Sequence, residues 1–181
     1  MNTPYDGMER CMDAATPVAT LIATLDNPDW QIRFAAIVAL GDRRDRLAVG
    51  PLAALLRHEN SEPLYSQRDE VGGGIPAGSP QGRTPTFPPG TSEATQAAWA
   101  RRGRLKQAAC LALGAIGLAE PAVLDLLHRY AVDQAEDYAV RAAANKALGL
   151  LGHASSRPVL ERAVADPEWC TRTEAAKALR G

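Results

Sequence analysis

One stretch decides the fold of this 181-residue chain: Asn27-Pro-Asp-Trp-Gln-Ile-Arg-Phe-Ala-Ala-Ile-Val-Ala-Leu-Gly41. Its pattern returns at residues 166–180, where Trp169 takes the place of Trp30 and Arg172 that of Arg33. Two further copies lie between them, at 105–114 and 138–149. Self-similarity of this kind indicates stacked repeats and fixes the architecture before any single residue is considered.

Each copy has the features of one amphipathic helix. Asn27 and Asp166 are expected N-caps, followed by a proline in the first helical position, where its missing N–H costs nothing. A carboxylate then falls in the first turn, where the helix dipole favours negative charge. These first-turn acids are Asp29, Asp137 and Glu168.

Small residues follow along the same helices. Their spacing places an alanine-rich seam on a single buried face, so we expect neighbouring helices to approach closely there. The expected close-packing positions are Ala36, Ala109, Ala144 and Ala175. The glycine that ends each copy predicts a left-handed C-cap. These glycines are Gly41, Gly114 and Gly149.

A second helix, led by proline, precedes each copy, at 17–25, 51–57, 121–128 and 158–164. The resulting helical pair closely resembles the HEAT repeat, and in particular the HEAT-like repeats of phycobilisome bilin lyase subunits. The resemblance rests on the pattern Asp-Pro-x-Trp-x-x-Arg-x-x-Ala-Ala-x-Ala-Leu. It implies an all-α solenoid of four helical hairpins in a right-handed superhelix, with the second helices on the inner surface.

We expect a single domain over residues 1–181. Its predicted parts are an N-terminal cap at 1–15 and repeats at 17–41, 51–117, 121–152 and 158–180. In the first repeat, Trp30, Phe34 and Val38 form a second apolar stripe on the side away from the core. Because the end of an array needs a cap, we expect the leading segment to cover this stripe. The alternative is a partner-binding patch.

The second repeat is interrupted by a glycine- and proline-rich insertion at about 60–91. This composition supports little core and favours a flexible segment. Alternatively, apolar side chains within it dock on the array or on a partner. Those side chains are Leu64, Tyr65, Ile75 and Phe87. After the insertion, Ser92 is expected to cap a long helix.

The repeats carry a cation at one matching position: Arg33, Lys106, Arg141 and Arg172. In HEAT arrays the matching arginine commonly pairs with a turn aspartate of a neighbouring unit. Asp26, Asp133 and Asp166 are available here, so the resemblance favours a structural ladder over an anion-binding site. The matching aromatic residues, Trp30, Tyr138 and Trp169, are likewise interpreted as structural.

Composition narrows the function classes. A net charge of -1 argues against a surface that coats nucleic acid, and it disfavours a DNA-repair module of the HEAT type. The three cysteines are widely spaced and form neither a disulfide framework nor a zinc pattern, which fits a reducing cytoplasm. No apolar run is long enough to cross a bilayer. We therefore expect a cytoplasmic protein.

Residues suited to catalysis are scattered. The histidines at 58, 128 and 153 lie in different repeats without ligand spacing, and no nucleophile elbow or phosphate-binding loop occurs. Cys110 is expected to be a buried structural thiol. Cys170 lies near the start of the last helix, where a thiol pKa can be lowered. The sequence thus predicts no catalytic residue, cofactor or metal.

The favoured function is a noncatalytic scaffold or adaptor that binds a partner protein on its concave helical surface. The alternative implied by the resemblance is a bilin lyase or bilin-chaperone subunit acting on phycobiliproteins, although no bilin nucleophile is identifiable. A basic run at Arg101, Arg102 and Arg104 favours a partner with an acidic segment.

The predicted partner-binding residues vary between repeats while the core positions stay constant. The inner row is Phe34, Gln107, Ala142 and Thr173, flanked by Val38, Leu111, Lys146 and Lys177. From the insertion, Tyr65 and Phe87 are predicted to reach over this surface.

Overall fold

The computed structural model describes residues 15–58, 87 and 89–181. All regular secondary structure in these residues is helical and forms four pairs, which confirms the predicted all-α repeat architecture. The first helices of the pairs are α1 (Val18–Thr24), α3 (Val49–His58), α5 (Pro121–Val132) and α7 (Arg157–Ala163). The second helices are α2 (Trp30–Arg43), α4 (Glu93–Ile116), α6 (Tyr138–Leu151) and α8 (Trp169–Ala178).

The helices form two layers. Each second helix packs extensively against the second helix of the next pair, whereas the first helices contact one another much less. Short 3-10 helices, Arg46–Ala48 and Ala154–Ser156, lead into α3 and α7. The second helices thus make most of the contacts between neighbouring pairs. None of the helices in the described ranges is long and apolar enough to cross a membrane.

One continuous hydrophobic core runs between the layers through all four pairs. Burying each of its leucines contributes about 1.5–3 kcal/mol relative to exposure. The four alanines expected at close-packing positions, Ala36, Ala109, Ala144 and Ala175, are all completely buried.

The predicted starts of the second helices are wrong by two residues. Asp29 is the N-cap of α2, and its Oδ1 accepts a hydrogen bond from the Gln31 amide at 2.8 Å. Asn27 instead accepts from the Asp29 amide at 2.8 Å. An Asx side chain can close a turn as readily as it caps a helix, and here it does the former. The prolines after Asn27 and Asp166 therefore belong to the turns rather than to the helices.

The same shift holds in the later pairs. Asp137 is the N-cap of α6 and accepts from the Ala139 amide at 2.8 Å, so it is not a first-turn acid. Asp166 lies two residues ahead of Glu168, the residue at the N-cap position of α8. This placement leaves the Asp166 carboxylate available for contacts between pairs.

The predicted glycine caps are also wrong. The left-handed residues that end the second helices lie three residues further on, at Arg44, Gly117 and Gly152. The glycines themselves lie where second helices cross. A Cβ on Gly114 would lie 2.7 Å from the Ala147 Cα, closer than atoms can pack. Gly41 faces Ala112 and Gly149 faces Ala178 in the same way.

The second pair carries the interruption. Ser92 caps α4 as predicted, with its Oγ accepting from the Thr95 amide at 3.2 Å. Helix α4 has 24 residues, against 14 in α2 and α6, so its first turns extend beyond the other second helices. The Phe87 ring meets the buried Trp99 ring edge-on at 5.7 Å. The leading segment at 1–14 and most of the predicted insertion, including Leu64, Tyr65 and Ile75, lie outside the described residues.

Candidate functional site

A groove of about 370 Å³ lies between α2 and α4 on the layer of second helices. Phe34 and Val38 form one wall and remain 37% and 40% exposed. Gln107 and Leu111 form the other. The structure thus brings together four of the residues predicted to bind a partner.

The floor of this groove was not predicted. It lies at the crossing of Gly41 and Ala112, where two small residues leave room between the larger side chains of the walls. Asp42 lines one end of the groove and is exposed. The helical spacing of Asp42 from Phe34 and Val38 was a signal that could have identified it.

The remaining predicted inner residues lie on α6 and α8, outside the groove. Ala142 and Thr173 are half-buried, while Lys146 and Lys177 are exposed. The Lys177 Nζ lies 2.6 Å from the Glu174 Oε1. The second-helix layer therefore changes from apolar at α2 and α4 to polar and partly cationic at α6 and α8.

The basic run lies in the first half of α4. Arg101 and Arg104 are exposed, whereas Arg102 is half-buried, with an Nε that has no hydrogen-bond partner among the described residues. Gly103 follows where the other repeats carry an aromatic residue. A Cβ there would lie 3.0 Å from the Asp137 Oδ2, so the N-cap of α6 occupies the space of a side chain. Burial of this carboxyl raises its pKa.

Arg141 forms the predicted contact between pairs. Its Nε and Nη2 donate to the Asp166 Oδ2 and Oδ1 at 2.8 and 3.0 Å. Its Nη1 donates to the Glu136 carbonyl at 2.6 Å, within its own pair. The arginine is completely buried, so all three bonds are shielded from water.

Lys106 pairs with an acid that is not among the aspartates expected for the ladder. Its Nζ lies 2.5 Å from the Glu136 Oε2, whereas Asp133 accepts from the Ala135 amide at 3.0 Å. The lysine also lies over the Tyr130 ring, 5.2 Å from its centroid. Glu136 was missed because its role depends on the neighbouring pair rather than on its own helix.

The other two cations of the series behave differently. Arg33 lines a cleft together with Asp26 and His58. The Arg172 Nη1 donates to the carbonyls of Asp166 and Pro167 at 2.8 and 2.7 Å. The predicted ladder of acid pairs is thus seen directly at Lys106 and Arg141.

The three matching aromatic residues are not equivalent. Trp30 is partly buried against the core, so its assignment to a stripe facing away from the core is wrong. Tyr138 is half-buried, and Trp169 remains 43% exposed. A shared sequence position therefore does not give a shared environment at the last helix.

The two thiols that the structure describes, Cys110 and Cys170, are poorly suited to nucleophilic chemistry. Burial, reinforced by the Glu136 carboxylate, raises the pKa of Cys110 to about 12, in keeping with a buried structural thiol. The expectation of a lowered pKa for Cys170 is wrong, because partial burial raises that pKa despite hydrogen bonds with Thr171. Within residues 15–58, 87 and 89–181, no cluster of three or more potential ligand side chains is arranged to hold a metal ion.

Comparison with known families identifies the repeats in the second half of the chain. Residues 93–180 match the family model of HEAT repeats. The match begins with α4 and runs through α8, and it does not single out the repeats of bilin lyase subunits. At the α2–α4 crossing, Gly41 lies against an alanine of the next second helix, as Gly114 and Gly149 do within the matched residues. No curated protein matches the chain significantly.

Proposed function

We propose that the protein is a noncatalytic scaffold that binds a partner protein on the layer of second helices, with the α2–α4 groove as the main contact. HEAT repeats commonly mediate protein interactions, and repeat arrays use their concave surfaces for binding. The observation that carries the proposal is the exposure of Phe34 and Val38 opposite Leu111 in a groove of about 370 Å³.

The groove suits an apolar side chain of a partner. Phe34, Val38 and Leu111 make most of its walls apolar and its floor is made of small residues, so an inserted side chain would be surrounded on three sides. Removing apolar surface from water contributes about 25 cal/mol per Å². Anchors that fill such pockets dominate the binding energy of protein interfaces.

The surroundings of the groove favour an acidic segment next to that anchor. Arg104 lies one turn before Gln107 on α4, and Lys146 is exposed on the neighbouring α6. Exposed charges of this kind increase the association rate with an oppositely charged partner and are screened by salt. We therefore expect binding to weaken as ionic strength rises.

An affinity pull-down from the native source tests the proposal with three variants. Val38→Glu and Leu111→Glu place a charge in the groove and should abolish recovery of the partner. Leu47→Glu is the matched control, because Leu47 is 72% exposed on the 3-10 helix before α3 and does not line the groove. Equal recovery by all three variants, each with an unchanged circular dichroism spectrum, would contradict the proposal.

The bilin lyase or chaperone alternative has a separate test. Mixing the full chain with a bilin and recording visible absorbance would reveal a shifted band if the chain binds the pigment. We expect no shift. A shift that disappears in Leu111→Glu would instead assign the groove to a pigment.

A further inference from the structure

Arg141 forms hydrogen bonds with both edges of its guanidinium group. One edge of its guanidinium, Nη1, is bound to the Glu136 carbonyl in the turn of its own pair. The other edge, Nε and Nη2, binds the Asp166 carboxylate of the next pair in a two-point fork. A fork of this kind is among the stronger and more specific polar contacts in proteins.

Arg172 occupies the matching position in α8. It forms the same kind of hydrogen bond to the turn of its own pair as Arg141 does. Its Nη1 donates to the Pro167 carbonyl at 2.7 Å, which corresponds to the bond from Arg141 to Glu136. Among the described residues, no carboxylate forms an ion pair with it. By the repeat alignment, the Nε and Nη2 of Arg172 correspond to the atoms with which Arg141 reaches the Asp166 carboxylate of the next pair.

The close approach of α8 to α6 depends on a residue that α8 does not repeat. The crossing between them requires Gly149, since a Cβ there would lie 2.6 Å from the Ala178 Cβ. The alignment that places Arg141 on Arg172 places Gly149 on Arg180, a large and exposed residue. The surface of α8 that corresponds to the α8-facing surface of α6 is therefore chemically different, and we call it the α8 end face and define it by Trp169, Arg172 and Arg180.

We propose that the α8 end face binds an acidic segment of a partner protein, whose carboxylate takes at Arg172 the place that Asp166 takes at Arg141. The two arginines supply the positive charge, and Arg172 is already oriented by its carbonyl bonds, which lowers the entropy lost on binding. Trp169, 43% exposed, supplies an apolar contact beside them. This surface is separate from the α2–α4 groove, so the two proposals can fail independently.

The probe is derived from the segment of this chain that contains Asp166, the carboxylate partner of Arg141. A synthetic peptide with the sequence of residues 160–171, carrying Cys170→Ser, is titrated into the isotope-labelled full chain while amide and arginine Nε resonances are recorded by NMR. We expect saturable shifts at Trp169, Arg172 and Arg180. The same peptide with Asp166→Asn should bind more weakly, because it cannot form the charged fork.

Variants of the full chain locate the contact. Arg172→Gln should weaken binding roughly tenfold, as expected for the loss of a hydrogen bond to a charged group. Arg172→Lys, which keeps the charge and loses the fork, should give an intermediate affinity. Arg157→Gln is the matched control, since Arg157 is exposed and pairs with Glu161 on α7. Its affinity should be unchanged.

Because Arg172 also binds its own turn, Arg180→Gln serves as a second variant that leaves those bonds intact. It should weaken binding without altering the melting temperature. The proposal is overturned if the peptide causes no shifts at millimolar concentration, or if neither Arg172→Gln nor Arg180→Gln changes the affinity. It is also overturned if a polythymidine oligonucleotide produces the same shifts, since the face would then be a general polyanion site.

Discussion

The Nζ of Lys106 lies 2.5 Å from the Oε2 of Glu136, and both side chains are almost completely shielded from solvent. This contact joins α4 to the turn before α6 and therefore links the second and third pairs. Removing one member of a buried ion pair leaves the other charge without compensation, which is far more costly than removing both.

Glu136→Ala should therefore lower the free energy of unfolding by about 3–5 kcal/mol. The double variant Lys106→Met/Glu136→Leu should recover much of that loss, because neither charge remains buried. Urea unfolding monitored by circular dichroism measures the free energy of unfolding of the single and the double variant. Glu161→Gln, which breaks the exposed pair with Arg157, is the control and should have no measurable effect. A single variant as stable as the wild type would show that this pair does not join the repeats.

Gly114→Ala tests the crossing of α4 and α6. The added Cβ would lie 2.7 Å from the Ala147 Cα, so we expect overpacking to cost about 1–3 kcal/mol. Gly50→Ala adds the same group in α3, where the new Cβ would meet no atom within 4 Å apart from its chain neighbours and the backbone of its own helix. That control should be neutral or should stabilise the helix by up to about 1 kcal/mol. Similar thermal shifts for the two variants would mean that the crossing is not tight.

Deletion of residues 66–86, with the ends joined by a short turn, should change the melting temperature little. The segment is rich in glycine and proline, and loop length affects closure entropy weakly. A deletion of 66–89 should be worse by about 0.5–1.5 kcal/mol, because it also removes the edge-on contact of Phe87 with Trp99. Differential scanning calorimetry compares the stability of the two deletion variants. Equal stability of the two deletions would show that the contact contributes nothing.

Cys110 links the stability of the fold to alkaline pH. Its pKa is raised from 9.0 to about 12 in the folded chain, so the folded state keeps a proton that the unfolded state loses first. The stability from this thiol is present below pH 9 and is lost as the pH rises towards 12. The free energy of unfolding of Cys110→Ala should therefore fall less steeply over this range than that of the wild type. Parallel pH profiles would contradict the assignment.

Some features of the fold follow from the local sequence, whereas others depend on how the helices pack. The pairing of helices and the burial of Ala144 follow from periodicity, which is local to each helix. The structural roles of Asn27 and Gly114 cannot be decided from the local sequence. An Asx residue can close a turn or cap a helix, and a glycine can lie at a helix crossing or at a helix end. Only the packing of the next helix distinguishes these roles.

The residues of the candidate site show the same difference between positions set by helical spacing and positions set by the packing of two helices. Phe34 and Leu111 were predicted because helical spacing places them on one face of their helices. The floor at Gly41 and Ala112 was not predicted, since it exists only where two helices cross. Glu136 was missed for the same reason, because its partner lies 30 residues earlier in the sequence.

The glycine crossings also have a mechanical consequence. Gly41, Gly114 and Gly149 already hold the second helices at van der Waals contact, so that layer cannot be compressed further. The first helices contact one another far less. We therefore expect bending that compresses the array to occur mainly between the first helices, where fewer contacts oppose it. A partner on the second layer would therefore contact the face of the array that resists compression more strongly.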